Sequence, residues 1–261
     1  WQTWLVLEIL QKILLIGDQN QLGQPIKGTH PNNSGQSILD YLLEGKDTIP
    51  DDRGIFLNKT YRLHSKINNF ISSNFYEERL ICDERTDKRV IHFNKNSMIK
   101  DSGIHFIEMK HENNIQTSLE EFEVVNKLMK QMIGSDYEDN GKKRKLNVED
   151  FLIISPYNTQ VNLLISKLEE AKIKNPKVGT IDKFQGQEAP ITIISMTSSD
   201  SDSLPRNKEF FFSRNRLNVA ISRAQVASII LFNPLLLDSS PKNLDHIKLM
   251  NNFFKFLNYK I

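Results

Sequence analysis

Residues 151–196 read FLIISPYNTQVNLLISKLEEAKIKNPKVGTIDKFQGQEAPITIISM. Phe151–Ile154 is a short apolar run of the kind that forms a buried strand, closed by Ser155-Pro156. Asn158–Glu170 follows with Val161, Leu164, Ile165 and Leu168 on one side, the period of an amphipathic helix. Val178–Ile181 and Ile191–Met196 are again strand-like, and Asp182–Pro190 between them is a polar knot. Strand, helix, strand is the unit of a parallel sheet, because parallel neighbours need a crossover to join them.

The same alternation extends outward. Toward the C-terminus, Asn215–Ala224 predicts a helix, Ala227–Phe232 a strand and Leu244–Asn258 a terminal helix carrying Ile247, Met250, Phe253, Phe254 and Leu257. Toward the N-terminus, Ser118–Met132 is an amphipathic helix with Leu119, Phe122, Val125, Leu128, Met129 and Met132 on one side, and Ile104–Met109 is a strand. Ser65–Phe75 and Ser37–Leu43 read as helices, Lys12–Gly17 (KILLIG) as a buried strand ending in a loop, and Trp1–Leu10 as the end of a helix feeding it. Gly23–Gly35 and Asp47–Gly54 read as loops. Ser135–Asp150, with Lys142-Lys143-Arg144-Lys145, reads either as a solvated loop or as a nucleic-acid contact. The expected fold is α/β, a mostly parallel sheet with helices on both faces. In such sheets ligands sit beyond the carboxyl ends of the strands.

Composition narrows the function. The 261 residues allow one large domain or two small ones, and 39% apolar with 25% charged residues supports a real core. With 34 Lys and Arg against 32 Asp and Glu, the formal charge is +2, which does not fit a protein that coats a polyanion but leaves room for a local basic groove. The single cysteine, Cys82, removes a disulfide framework and a Cys-based zinc cluster. No run of apolar residues reaches the ~18 needed to span a bilayer, and no signal-peptide pattern opens the chain. No membrane partner and a cytoplasmic location are therefore expected.

Four polar clusters carry the chemistry. Gly17-Asp18-Gln19-Asn20-Gln21-Leu22 follows the KILLIG run, where an Asp and a Gln can orient a water or a metal-bound phosphate. Thr60-Tyr61-Arg62-Leu63-His64 places an Arg fork, able to hold a phosphate bidentately, between a Tyr and a helix start. The plainer alternatives are an Arg packed on Tyr61 and a His64 that caps the helix. Thr180 to Glu188 is hard to explain by packing alone between buried strands: Thr180 can meet a backbone phosphate, Gln185 and Glu188 can meet ribose hydroxyls, and Gly186 permits close approach or a positive φ, the plainer alternative being a structural loop. Arg214 to Ala224 places Arg216, Ala220 and Arg223 near one helix face, with the two arginines about 10 Å apart along the axis. What the chain lacks matters equally. It has no GxxxxGK[ST] phosphate loop, no Asp-Glu pair before Gly17, no HExxH and no GxSxG. No metal site is read from it.

In order, these clusters resemble motifs III, IV, V and VI of superfamily 1 helicases, of the 5′-to-3′ branch that contains the nonsense-mediated-decay helicase and its DNA-replication relatives. Leu15-Ile16-Gly17-Asp18-Gln19-Asn20-Gln21-Leu22 resembles LxGDxxQL. Tyr61-Arg62-Leu63-His64, with Ile67, Phe70 and Phe75-Tyr76, resembles YRMHP and the helix after it. Ser155-Pro156-Tyr157-Asn158-Thr159-Gln160 resembles (T/S)PYxxQ, Val178–Glu188 resembles motif V, and Arg216–Ala224 resembles RxNVAxTRA, with Asn233-Pro234 also familial. The likeness covers roughly residues 10–235. Leu63, Ser65 and Ser222 depart from the usual Met, Pro and Thr without removing a charge.

The resemblance implies a RecA-like fold of the P-loop NTPase type, with ATP held between two such domains and a single strand across their top. Residues 1–30 would be the C-terminal remnant of the first domain, and residues 31–261 the second motor domain of an ATP-dependent helicase or translocase. Arg62 and Arg223 would reach the γ-phosphate, with Asp18 and Gln21 coupling it to the strand. Glu188, with Gln185 near it, would hold the ribose. Arg216 would support the arginine pair, and Tyr61 would also belong to the nucleotide site. Tyr157, Asn158, Gln160, Thr180 and Asp182 would line the strand, DNA in preference to RNA. ATP and Mg2+ would both need the first RecA-like domain, in cis or in trans, so this chain alone is expected not to hydrolyse ATP. The alternatives are a non-hydrolysing module that binds nucleic acid or a partner, and a split-gene remnant.

Overall fold

The computed structural model describes residues 14–23, 31, 34–199, 213–237, 247 and 251. In chain order the elements are α1 (Ile38–Leu43), β1 (Lys59–Thr60), α2 (Ser65–Phe75), β2 (Ile81–Cys82), β3 (Arg89–His92), β4 (Gly103–Glu108), α3 (Leu119–Met132), β5 (Asp136–Asp139), β6 (Lys142–Lys145), β7 (Phe151–Ile154), α4 (Asn158–Glu170), β8 (Val178–Gly179), β9 (Ala189–Ser195), α5 (Arg214–Ile221) and β10 (Ala224–Phe232).

Five strands form one sheet in the order β4-β10-β9-β7-β8, every pair parallel. Successive side chains along a strand point to opposite faces, and here both faces are covered. Ile154, Ile194, Ile230 and Phe232 join Ile67, Phe70 and Ile71 of α2 and Leu217 and Ile221 of α5 in one core. Ile153, Ile193, Ile229 and Leu231, one position away, join Phe122, Val125 and Met129 of α3 and Leu164 and Leu168 of α4 in the other. Two-sided burial is why these strands read as unbroken apolar runs. The one polar rung inside, Thr192 opposite Ser228, is satisfied by a hydroxyl–hydroxyl bond of 2.9 Å. The helices begin where local chemistry starts them: Ser37, His64 and Ser118 each accept a backbone N–H of the first turn. His64 is thus a capping residue. Its Nδ1 accepts from the Lys66 amide, and its Nε2 lies 3.0 Å from the Ser102 hydroxyl.

Four expectations need correction. The described part of KILLIG is not a strand: Leu14 and Ile16 are 84% and 85% exposed, and no strand among the described residues pairs with them. Ser135–Asp150 is not a loop but the hairpin β5–β6, which extends β3 into a three-stranded antiparallel sheet. Its register sets Asp136 opposite Lys145 and Glu138 opposite Lys143, both as ion pairs, while Arg144 chelates Asp150 at 2.6 Å. The basic run is largely neutralised by its own neighbours, which also blunts an open sheet edge. Helix α5 ends at Ile221, so Arg223 sits in the turn before β10 rather than on the helix. Finally, only part of the polar chemistry lies at the carboxyl ends of the strands, as described below. The expected helix Trp1–Leu10 lies outside the described residues, as does most of Leu244–Asn258.

His64 and His105 are largely buried, and burial holds both imidazoles below their ordinary value despite nearby Asp87 and Asp101. As pH falls below about 6.5 the unfolded chain therefore takes up protons before the folded one, and stability is lost. The urea midpoint is expected to drop between pH of about 7.5 and about 5.5, less steeply in a His105→Gln variant. Equal slopes for the two proteins would contradict this.

Candidate functional site

The parallel register of β9 and β10 sets Ala189 opposite Ala224, so the residues just before them, Glu188 and Arg223, emerge side by side at the amino ends of the strands. The Ala189 amide donates to the Arg223 carbonyl at 3.1 Å. Arg62 arrives from the β1–α2 turn, which is pinned to β10 by the bond from the His64 amide to the Gln225 carbonyl, 2.9 Å. Arg62 Nε donates to Glu188 Oε2, and its Nη1 reaches the Ser222 carbonyl at 3.3 Å. Gln225 donates to the other Glu188 oxygen at 2.9 Å. Arg89 Nη1 braces the Arg62 carbonyl at 2.8 Å.

Arg223 is only 2% exposed. Its Nε donates to the Val219 carbonyl at 3.1 Å, closing the end of α5 as a cation there should. Its Nη1 donates to the Gln187 carbonyl at 3.2 Å. Among the described residues no carboxylate forms an ion pair with it. Burial and then the charge of Arg62 push its guanidinium down to about 10, with Glu188 offsetting them in part. Burial would raise the Glu188 carboxyl, but the bonds from Arg62 and Gln225 outweigh it and hold the group below its ordinary value. Two guanidiniums therefore lie beside one carboxylate that only Arg62 bonds, and among the described residues the more buried of them bonds only carbonyls. Such a site is short of negative charge.

Asp18 and Gln21 belong to the same end of the molecule. Asp18 Oδ2 accepts from the Tyr76 hydroxyl at 2.6 Å and from Gln21 Nε2 at 2.8 Å, and Oδ1 accepts from the Asn20 amide at 3.0 Å. Helix α5 grips this segment through Asn215, bonded to the Gln19 and Gln21 carbonyls at 2.9 Å each, and through Asn218, bonded to the Asn20 carbonyl at 2.8 Å and to Tyr76 Oη at 3.2 Å. Arg214 locks the same helix to Asp47 in a bidentate pair at 2.6 and 2.7 Å, its guanidinium over the Phe75 ring. The chain Asp18–Tyr76–Asn218 thus joins the Gly17–Leu22 segment to α5, the helix that precedes Arg223. Tyr76 follows the motif helix in sequence, but nothing in the sequence alone gives it a role. Gln225, Arg89 and Asp47 carried no sequence signal at all.

The remaining candidates divide. Tyr61 is exposed between Lys59 and Arg85, whose cations lie 5.6 and 5.3 Å from its ring centre, while Arg62 turns away from it toward Glu188. Arg216 pairs with Asp182 at 3.0 Å. Gln185 is exposed beside Gly186, whose φ of +81° is a left-handed turn that suits glycine. Asn158 and Thr180 follow the carboxyl ends of β7 and β8 and reach the surface. Tyr157 and Gln160 do not: both are buried, Gln160 bridging Ser118 and Ser195 and Tyr157 packing in the core under α2. Gly179 lies level with Ile194 through β7, five residues along β9 from Ala189. The loop from Thr180 to Glu188 therefore runs about 17 Å, from the carboxyl edge of the sheet back to the amino edge. Among the described residues no group of three His, Cys, Asp or Glu is placed to hold a metal, and no helix is long and apolar enough to cross a membrane.

A family model described as "AAA domain" matches residues 35–234. The chain is 29% identical over 230 residues to the DNA polymerase alpha-associated DNA helicase A of Schizosaccharomyces pombe, covering 85% of this chain and 33% of that protein. It is 28% identical over 269 residues to the DNA replication ATP-dependent helicase/nuclease dna2 of the same yeast, covering 92% of this chain and 18% of that protein. Over 100 residues it is 35% identical to the human RNA helicase Mov10l1, covering 37% of this chain and 8% of that protein. The chain thus spans a third or less of the length of each of these relatives.

The brace on Asp18 can be tested by deleting one oxygen. Tyr76→Phe is expected to cost about 1–2 kcal/mol in urea unfolding, since a carboxylate loses a donor, and to speed hydrogen exchange at the Asn20 amide. Unchanged stability and exchange would show that the hydroxyl braces nothing.

Proposed function

The chain belongs to the AAA-domain family, and from that premise we propose that it is the second motor domain of a superfamily 1 helicase, residues 31–261, with residues 1–30 the remnant of the first RecA-like domain. The observation that carries this reading is the Arg223–Arg62 pair at the amino ends of β9 and β10: a buried guanidinium that no carboxylate among the described residues pairs with, set beside a second guanidinium. Such a site fits a phosphate group, which would supply the missing negative charge and bind both forks. Two guanidiniums repel a magnesium ion, and among the described residues no group of three His, Cys, Asp or Glu is placed to hold one. The metal and the phosphate loop are assigned to the first RecA-like domain, in cis or in trans.

In this reading ATP, when bound between the domains, supplies the phosphoryl group to be transferred. This chain's residues do the following. Arg62 and Arg223 hold the terminal phosphate and stabilise charge as it develops. Glu188, now engaged by Arg62, turns to the ribose hydroxyls, with Gln185 alongside and Tyr61 at the rim of the nucleotide site. Arg216 keeps Asp182 and the crossing loop in place. Asp18 and Gln21 relay the state of the nucleotide through Tyr76 and Asn218 to α5. A single strand runs over Asn158, Thr180 and Asp182, with Tyr157 and Gln160 holding the loop beneath. DNA is favoured over RNA because the two fission-yeast relatives, matched over 85% and 92% of this chain, are named for DNA, whereas the human RNA helicase matches over 37% of it.

Turnover tests the assignment. The chain alone is expected to release no phosphate from ATP above background. Paired with a domain carrying a phosphate loop and its Asp-Glu pair, it is expected to support DNA-stimulated hydrolysis, with kcat falling about a thousandfold in Arg223→Ala. Hydrolysis by the purified chain alone, abolished by Arg223→Ala, would overturn the reading.

A further inference from the structure

At the opposite, carboxyl edge of the sheet lies a buried polar network whose centre the proposed chemistry does not use. At its centre is Glu121, in the first turn of α3 and 0% exposed. Its carboxylate accepts from the Ser195 hydroxyl at the end of β9 and from the Thr197 amide at 2.9 Å. His111 Nε2 lies 3.4 Å from the same carboxylate, and its Nδ1 lies 2.8 Å from the Ser199 hydroxyl. Ser199, His111 and Glu121 have the order of a hydrolytic triad, but the Ser199 hydroxyl also accepts the Asn114 amide and all three residues are buried. The arrangement is a clamp, not a nucleophile.

What it clamps is strained. Thr197 has φ of +72°, and a β-branched side chain rarely adopts that region. Such a conformation persists only where its surroundings over-determine it. Here Glu121 fixes the amide while the Thr197 hydroxyl lies 3.1 Å from Ser155 Oγ. Ser155 opens the loop Ser155-Pro156-Tyr157-Asn158, and its Oγ also accepts the Tyr157 amide at 3.5 Å. Gln160, in the first turn of α4, donates to Ser195 Oγ at 3.2 Å, the hydroxyl that Glu121 accepts. Both ends of the loop that carries Asn158 therefore rest on groups that Glu121 orients.

We propose that Glu121 is a positioning residue for single-strand binding: through Thr197–Ser155 and Ser195–Gln160 it sets the Ser155–Asn158 loop in the conformation that presents Asn158 to a nucleic-acid strand. This rests on the reading that Asn158 lines the strand. The role is one of shape, so a glutamine, which keeps an acceptor for the Thr197 amide, should largely fill it. An alanine leaves that amide and the Ser195 hydroxyl without their partner.

The test is fluorescence anisotropy of a labelled oligothymidylate with the full chain, alongside thermal melts and hydrogen exchange. Glu121→Ala is expected to weaken strand binding about tenfold and Glu121→Gln no more than about threefold, with faster exchange at Thr197 and across 155–159 but not in β10. If Glu121→Ala does not fold, Ser155→Ala, which removes only the link between clamp and loop, is expected to weaken binding several-fold at a nearly unchanged melting temperature. Wild-type affinity in folded Glu121→Ala or in Ser155→Ala, with Asn158→Ala still weakened, would overturn the positioning role alone. No loss in Asn158→Ala would overturn the strand-lining reading and the inference with it, and the exchange data would then report only a structural clamp.

Discussion

One register decides where charge collects in this molecule. Because β9 and β10 are parallel and Ala189 lies opposite Ala224, Glu188 and Arg223 must leave the sheet together. Neither is free to move away, since the strands after them are buried on both faces by the two cores. Arg62 is brought to the same place by the backbone bond between His64 and Gln225. Two guanidiniums and one carboxylate are thus forced into a partly dry corner, and the depressed Arg223 follows from burial and like charge rather than from any feature of that side chain.

The sheet separates two kinds of polar chemistry. Its amino edge carries charge, exposed enough at Arg62 and Glu188 for the pair to open. Its carboxyl edge carries a buried, almost fully partnered network centred on Glu121, His111 and Gln160, the condition under which interior polar groups rigidify rather than destabilise. Strand β9 runs between them, with Glu188 before it and Ser195 at its far end. A stiff element that touches both edges gives the two sites a common mechanical reference.

Helices α2 and α4 were legible to the residue because their apolar periods and caps agree with the packing they meet. The five-strand sheet was legible because two-sided burial leaves plain apolar runs. The hairpin β5–β6 was not, since Asp136–Asp139 and Lys142–Lys145 have no apolar alternation, and their pairing rests on cross-strand charge that only the register reveals. KILLIG has a strand's composition, but a strand needs a neighbour, and the described residues provide none. Of the polar residues expected at the carboxyl ends of the strands, Asn158 and Thr180 lie there, whereas Glu188 and Arg223 precede their strands. Burial of Tyr157 and Gln160 was hidden as well: a polar loop residue looks the same in sequence whether it faces solvent or a network below.

The central claim is that the Arg62–Arg223 corner awaits a phosphate. It is tested most directly by following the arginine Nε–H resonances of the labelled chain, paired with an unlabelled domain carrying a phosphate loop and its Asp-Glu pair, while ATP is added to millimolar concentration. Shifts confined to Arg62 and Arg223, absent with adenosine and abolished by Arg223→Ala, are the expected result. Shifts confined to the Arg144 hairpin, or an unperturbed Arg223 at saturation, would contradict it.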